Sequence, residues 1–307
     1  MSGYTIGISC TLLVICLHSW ANIFDNYFSA KIFKKLTTLI FLSSFVNLFF
    51  LPFVFFTGRP EMLNLASFGV VLLIALCNVA YQYPYYWSLR TAETSVVVSL
   101  FSLGKIATPL FAFFIVGEHL QKVQYLGFFT IILSSVLLTI DFKKIRLNKE
   151  CIYMLIVSVL LTIQLVLYKY LFQQSVKWSS SVIWVAIVDM AIVTLFMVHP
   201  ENFKDLKSLT ELSKKQIGLF VLNQCFTWTG DIIGVYAVYF IPVSLFEGVE
   251  STQPVFVLIF ALLFIKKIPR LFNEYVGKDK IAKKIVLFIL MVIGTLLIIL
   301  PTITTVA

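Results

Sequence analysis

The stretch Trp87–Ser102, WSLRTAETSVVVSLFS, returns 149 residues later as Tyr236–Ser251, YAVYFIPVSLFEGVES. No gap is needed: Ser95 falls on Ser244 and Ser102 on Ser251. The same shift carries Lys105 onto Pro254 and Glu118 onto Lys267. Each copy closes one long apolar segment and opens the next. Outward from here the chain reads as ten such segments, near 3–24, 38–57, 65–87, 94–116, 123–140, 151–171, 180–198, 217–240, 243–265 and 285–303. A membrane span needs ~20 mostly apolar residues, which predicts ten transmembrane helices. A unit of five is odd, so its second copy must enter the bilayer upside down. The expected fold is an all-α integral membrane protein of ten helices in two inverted five-helix repeats, residues 1–146 and 147–307. Secondary transporters are commonly built this way, with the site near the midplane between the repeats.

The repeat loosens toward its ends. Around the first segment of each half the shift is closer to 143, which places Asn26 on Lys169. In the last segment Ser134-Ser135 matches Gly294 only weakly, with an insertion in the basic link 266–284.

Composition excludes a soluble fold. The chain is 60% hydrophobic and 13% charged, with 30 Phe. No sizeable soluble domain fits in the short links. Met1–Gly3 lacks a basic leader region, so the first segment is expected to stay in the mature protein. The net charge of +9 belongs beside a bilayer. It points to orientation and anionic lipid headgroups, with membrane lipids as partners and no nucleic acid. Nineteen Lys and Arg fall in the odd-numbered links, three in the even-numbered links and none at the termini. That asymmetry favours odd links in the cytoplasm and both termini outside. Location in the cell (inner) membrane is expected. Five Cys form no Cys-x-x-Cys pair, and His18, His119 and His199 are far apart, so no metal and no cofactor is expected. The chain has no Gly-x-Ser-x-Gly, no His-Glu-x-x-His and no nucleotide loop, which argues against an enzyme.

Charges inside spans are expensive, so each is a functional candidate. Lys105, Asp189 and Asp231 lie at segment centres. Half of a 23-residue helix is ~16 Å, too far for such side chains to reach the interface. Glu247 and Glu250 lie one turn apart, and Asp25 and Lys169 lie near segment ends. Polar residues recur on single helix faces: His18, Asn22, Asp25 and Asn26; Asn78, Gln82 and Tyr85; Ser95, Ser99, Ser102 and Lys105; Asn223, Thr227, Gly230, Asp231 and Gly234. Small residues on such faces also serve close helix packing. Five acids face two bases, Lys105 and Lys169, so either some acids hold protons or a cation is attracted. Aromatic faces can hold ammonium groups, and Trp20 and Trp228 lie nearest the polar stripes. Pro84, Pro109 and Pro254 interrupt three segments.

The run Trp87-Ser88-Leu89-Arg90-Thr91 through Thr94-Ser95, the Ser-rich span after it, Gly117-Glu118 and Gly127 resemble the EamA-type module of the drug/metabolite transporter superfamily. Two such modules fuse into ten spans there. The resemblance implies a carrier of small metabolites or drugs and cytoplasmic termini, opposite to the charge count. Lys105 departs from the proline common at its place, which the second copy keeps as Pro254. The second copy also replaces the Gly-Glu ending by Lys266-Lys267.

The sequence reading is a secondary transporter that moves a small polar organic solute by alternating access. Segments 1, 3, 4, 6, 8 and 9 are expected to line its cavity, with 5 and 10 peripheral. The expected binding residues are Trp20, Asn22, Asn78, Gln82, Lys105, Trp228, Asp231 and Glu250. Asp231 or Glu250 would hold an amino group or a coupling proton, and Lys105 a carboxylate or an acid. A zwitterion such as an amino acid fits this set first and a cationic metabolite second. The alternatives are a proton-coupled drug or dye exporter and, in another class, a non-transporting membrane subunit.

Overall fold

The computed structural model describes residues 3–92, 94–139, 149–197, 209, 212–264 and 281–306. The described residues are almost entirely helical: α1 (Gly3–Tyr27), α2 (Leu36–Leu48), α3 (Leu51–Phe55), α4 (Leu65–Thr91), α5 (Thr94–Lys105), α6 (Thr108–Val116), α7 (Lys122–Thr139), α8 (Lys149–Gln173), α9 (Trp178–Met197), α10 (Lys214–Phe240), α11 (Val243–Glu250), α12 (Gln253–Phe264) and α13 (Ile281–Val306). A π turn, Phe28–Ile32, prolongs α1. Among the described residues, six stretches are long and apolar enough to cross a membrane. Phe114, Leu133, Leu195 and Leu263 point outward at 60% exposure or more, while Asn26, Asn223 and Gln224 are buried at 1% or less. Apolar outside and polar inside is the arrangement of a multi-pass membrane protein.

Three prolines set the helix breaks. Proline lacks an N–H, and its ring clashes with the carbonyl four residues back. The residues four before Pro52, Pro109 and Pro254 are Leu48, Lys105 and Glu250, and α2, α5 and α11 end there. Each chain resumes as a helix after two residues, as α3, α6 and α12. Pro84, by contrast, sits inside unbroken α4. Lys105 and Glu250 are thereby both placed at the end of a half-helix.

α1 packs on α10, α4 on α8 and α9, α2 on α9, α5 on α8 and α7 and to a smaller extent on α12, and α7 on α13. The last pair comes closest at Gly127 and Gly294, where a Cβ on Gly127 would stand 2.5 Å from the Gly294 carbonyl oxygen. Small residues permit that backbone approach.

Candidate functional site

A cavity of about 210 Å³ lies at mid-depth among α1, α2, α4, α5, α8, α9, α10, α11 and α12. Seven of the eight expected residues line it: Asn22, Asn78, Gln82, Lys105, Trp228, Asp231 and Glu250. Trp20 does not. Its ring stacks on Phe260 at 5.0 Å and meets Phe264 edge-on at 5.1 Å, against α12. The cause is helical phase. Residues 18, 22 and 25 share one face, and two residues from Asn22 is roughly 200° around the helix. Trp228 lines the cavity only at its edge, 6% exposed and packed on Phe50. Segments 2 and 7, not expected in the lining, contribute Ser43, Ser44 and Asn47 from α2 and Val182, Val185, Ala186 and Asp189 from α9. The side chains of Ser95, Ser99 and Ser102 lie outside the described residues.

An ion network crosses the middle of the molecule. Lys105 Nζ donates to Glu250 Oε2 at 2.7 Å and pairs with Glu247 Oε2 at 2.9 Å. Glu250 Oε1 is 3.2 Å from His18 Nδ1, and His18 Nε2 is 3.2 Å from Asp231 Oδ1. The order is Glu247, Lys105, Glu250, His18, Asp231. Burying one lysine between two acids offsets its desolvation, and a buried charge without a partner is costly. Two of the three N–H donors of Lys105 are thus taken by acids, which weakens its pull on a substrate carboxylate. The Pro109 and Pro254 breaks bring its α5 terminus against that of α11.

The other two acids meet neutral groups. Asp25 Oδ1 accepts from Asn223 Nδ2 at 2.7 Å. The Tyr85 hydroxyl reaches Asp25 Oδ2 at 2.9 Å and Asn22 Oδ1 at 2.6 Å. Asp189 Oδ2 accepts from Asn78 Nδ2 at 2.7 Å, and its Oδ1 has no hydrogen-bond partner. Gln82 Nε2 donates to the Asn78 carbonyl at 3.1 Å. Asn22 Nδ2 and Gln164 Oε1 are also buried without a partner and belong to cavity-lining residues.

Two further charges, Lys169 and Glu118, lie away from the cavity lining. Lys169 Nζ donates to the carbonyls of Val238 and Ile241 at 2.8 and 3.0 Å, closing the C-terminus of α10. A cation suits the negative end of a helix dipole. Glu118 accepts from the Val243 and Ser244 amides at 2.6 and 3.2 Å, capping α11. Gly117, at φ 68°, ends α6 in the left-handed conformation and turns Glu118 toward that cap. The Gly-Glu motif thus builds a joint.

Missed by the sequence reading of the site were His18, Asp25, Tyr85, Asp189, Asn223 and Glu247. A signal was present: His18, Asn22 and Asp25 stand on one helix face, as do Tyr85 and Asn78.

Residues 5–140, which carry the Gly-Glu joint and the first polar stripes, match the model of the EamA-like transporter family. Over these residues the chain is similar to an EamA-type module. A solved protein crystal structure matches 96% of this chain and 95% of its own at 15% identity, with a TM-score of 0.56. At that identity the likeness concerns the fold. No curated protein matches the sequence. The matched residues supply α1, α2, α4 and α5 to the cavity, and the likeness is to a family of membrane transporters.

Proposed function

We propose that the chain is a secondary transporter of the drug/metabolite type that moves a small organic cation by alternating access through this cavity. The observation that carries the substrate class is the fate of Lys105. With Lys105 bound between Glu247 and Glu250 and Lys169 outside the cavity, Asp25 and Asp189 face the space with only amide and phenol partners. Carboxylates with only neutral partners favour an amine or ammonium group over a zwitterion, whose carboxylate meets only a lysine already shared by two glutamates. The small volume favours a metabolite over a drug, because clefts for drug-sized ligands run from ~300 to 1,000 Å³.

The lining supports the inverted repeat. The pairs α1–α10 and α4–α8 exchange when the halves exchange, while α2–α9, α5–α12 and α7–α13 map onto themselves. The cavity positions follow suit. A shift of 143 takes His18, Ala21, Asn22 and Asp25 onto Leu161, Gln164, Leu165 and Tyr168, and all eight line the space. A shift of 149 takes Asn78, Gln82, Tyr85 and Tyr86 onto Thr227, Asp231, Gly234 and Val235, again all lining. In a two-fold arrangement equivalent residues meet at the axis. Gly127 and Gly294 meet and stand 167 residues apart, a better partner for Gly294 than Ser134-Ser135. Half-helices broken beside a central site fit alternating access. We place the protein in the cell membrane with its repeats at 1–146 and 147–307.

The test is a thermal-shift screen of the purified protein with choline, putrescine, lysine, leucine and glutamate. A ligand that binds the native state raises its melting temperature. The reading expects a rise with choline or putrescine that disappears in Asp189→Asn. A rise with glutamate or leucine alone would reject it.

A further inference from the structure

His18 stands between two acids, with one carboxyl group facing each ring nitrogen. Its Nδ1 is 3.2 Å from Glu250 Oε1 and its Nε2 is 3.2 Å from Asp231 Oδ1. Nε2 lies off the axis of a hydrogen bond and has no other partner, so the carboxylate is what it faces. A neutral imidazole carries one N–H and one lone pair. With both acids ionised, one ring nitrogen would turn its lone pair toward a carboxylate oxygen, which repels it. An imidazolium satisfies both contacts and also offsets part of the carboxylate excess.

The seat for the ring is built into α10. A Cβ at residue 230 would stand 2.5 Å from the His18 Cδ2 and Nε2 atoms, so only Gly230 leaves room. The charged surroundings come from every side. Asp231 is on α10, Glu250 and Glu247 are on α11, and Lys105 on α5 binds both glutamates. Asp25, on α1 itself, feels both Asp231 and His18. The phenols of Tyr81 and Tyr85 approach from α4, and α12 brings no titratable side chain. These acids and bases belong to both halves of the chain.

We infer that Asp231, His18 and Glu250 form a dissociable proton site centred on His18, which ties α1 to α10 and α11 when occupied. Occupancy adds one proton to the imidazole and nothing else changes covalently. On release, Nδ1–H keeps its bond to Glu250 and the bare Nε2 repels Asp231. Asp231 is 53% exposed and swings into the cavity, where its carboxylate is open to a cation. This last step rests on the cation reading above, but the proton site does not. A proton and a cation would then compete for Asp231, which makes the proton the coupling ion.

Nitrogen-15 NMR of histidine-labelled protein in lipid nanodiscs reads the site without any transported solute. His18→Gln identifies the resonance, and the His119→Asn/His199→Asn background leaves His18 alone if that variant does not fold. The expected result is a ring protonated on both nitrogens near neutral pH. Asp231→Asn should lower its titration midpoint by about one pH unit or more. Gly230→Ala, which displaces the ring, should act in the same direction. A ring that stays one neutral tautomer between roughly pH 5 and 8 would overturn the inference, as would a titration indifferent to Asp231→Asn. A doubly protonated ring in a protein that carries none of the cationic probes would instead reject the cation reading and leave the proton site in place.

Discussion

α1 and α8, matched in the proposed repeat at a shift of 143, present opposite chemistry to the cavity. His18, Asn22 and Asp25 stand where α8 has Leu161, Leu165 and Tyr168, and all six line the cavity. Only Ala21 against Gln164 reverses the trend. On the proposed repeat, helical phase and depth carry over together, so matched positions face the same space. The repeat does not fix what stands there. The charge has gathered on the side of α1, α10 and α11, and the α8 side is left mainly apolar. A cation in this cavity therefore meets Asp25, Asp231 and Glu250 on the side of α1, α10 and α11, with Asp189 of α9 as the acid opposite them.

The contrast is sharpest at Lys105, whose counterpart is Pro254. Removing the ammonium in Lys105→Ala leaves Glu247 and Glu250 without their shared cation. Breaking a buried pair in this way costs about 3–5 kcal/mol. Thermal unfolding in detergent should show the largest loss of any substitution considered, and Glu247→Gln in the same background should recover much of it. An unchanged melting temperature in Lys105→Ala would show that the acids do not depend on it.

Tyr85 and Gly234 form the next pair. Tyr85→Phe strips the hydroxyl from Asp25 and Asn22 and should cost about 1–3 kcal/mol. Gly234→Ala should be neutral or stabilising. Its Cβ would meet Phe246 at 3.4 Å, an ordinary contact, and alanine favours a helix over glycine by ~0.8–1.0 kcal/mol. Opposite signs at equivalent positions would sharpen the comparison, and equal losses would break it.

How much of this could be read from residues alone varies along the chain. Ten segments were expected; among the described residues six stretches are long and apolar enough to cross a membrane, and the segments at 38–57, 94–116 and 243–265 are each split into two helices. The breaks at Lys105 and Glu250 follow from proline chemistry at Pro109 and Pro254. The cavity faces of α1, α4 and α10 were legible as stripes. Trp20 was misplaced because nearness along the chain was weighed above helical phase. The pairing of Lys105 with Glu250, 145 positions away, was not legible, since nothing local says which distant charge arrives. Lys169 looked like a cavity base until the end of α10 arrived beside it. Asp189 was recognised as deep but left out of the site, because segment 7 carries no stripe around it.

The smallest effect is expected outside the membrane helices. The linker after α3 is held to α9 at Glu61: its amide donates to Ser180 Oγ at 2.9 Å, its carbonyl accepts from Trp184 Nε1 at 2.9 Å, and its carboxylate pairs with Lys177. The Lys177 ammonium holds the Glu61 carboxyl below its ordinary value. A depressed carboxyl contributes above its usual range and loses that contribution as pH falls through the lowered one. Exposure and salt screening keep the pair weak. Glu61→Gln should leave the melting temperature near that of the parent and abolish only a shallow acid dependence, read by Trp184 fluorescence.

The most direct measurement is uptake into proteoliposomes holding the wild type, Asp25→Asn or Asp189→Asn, with radiolabelled choline, putrescine, leucine and glutamate as probes. The account predicts uptake of a cationic probe by the wild type and a loss of tenfold or more, an effect of about 1.4 kcal/mol or more, in each variant with folded protein still in the membrane. Uptake of glutamate or leucine in preference to both cations, or cation uptake untouched in both variants, would contradict it.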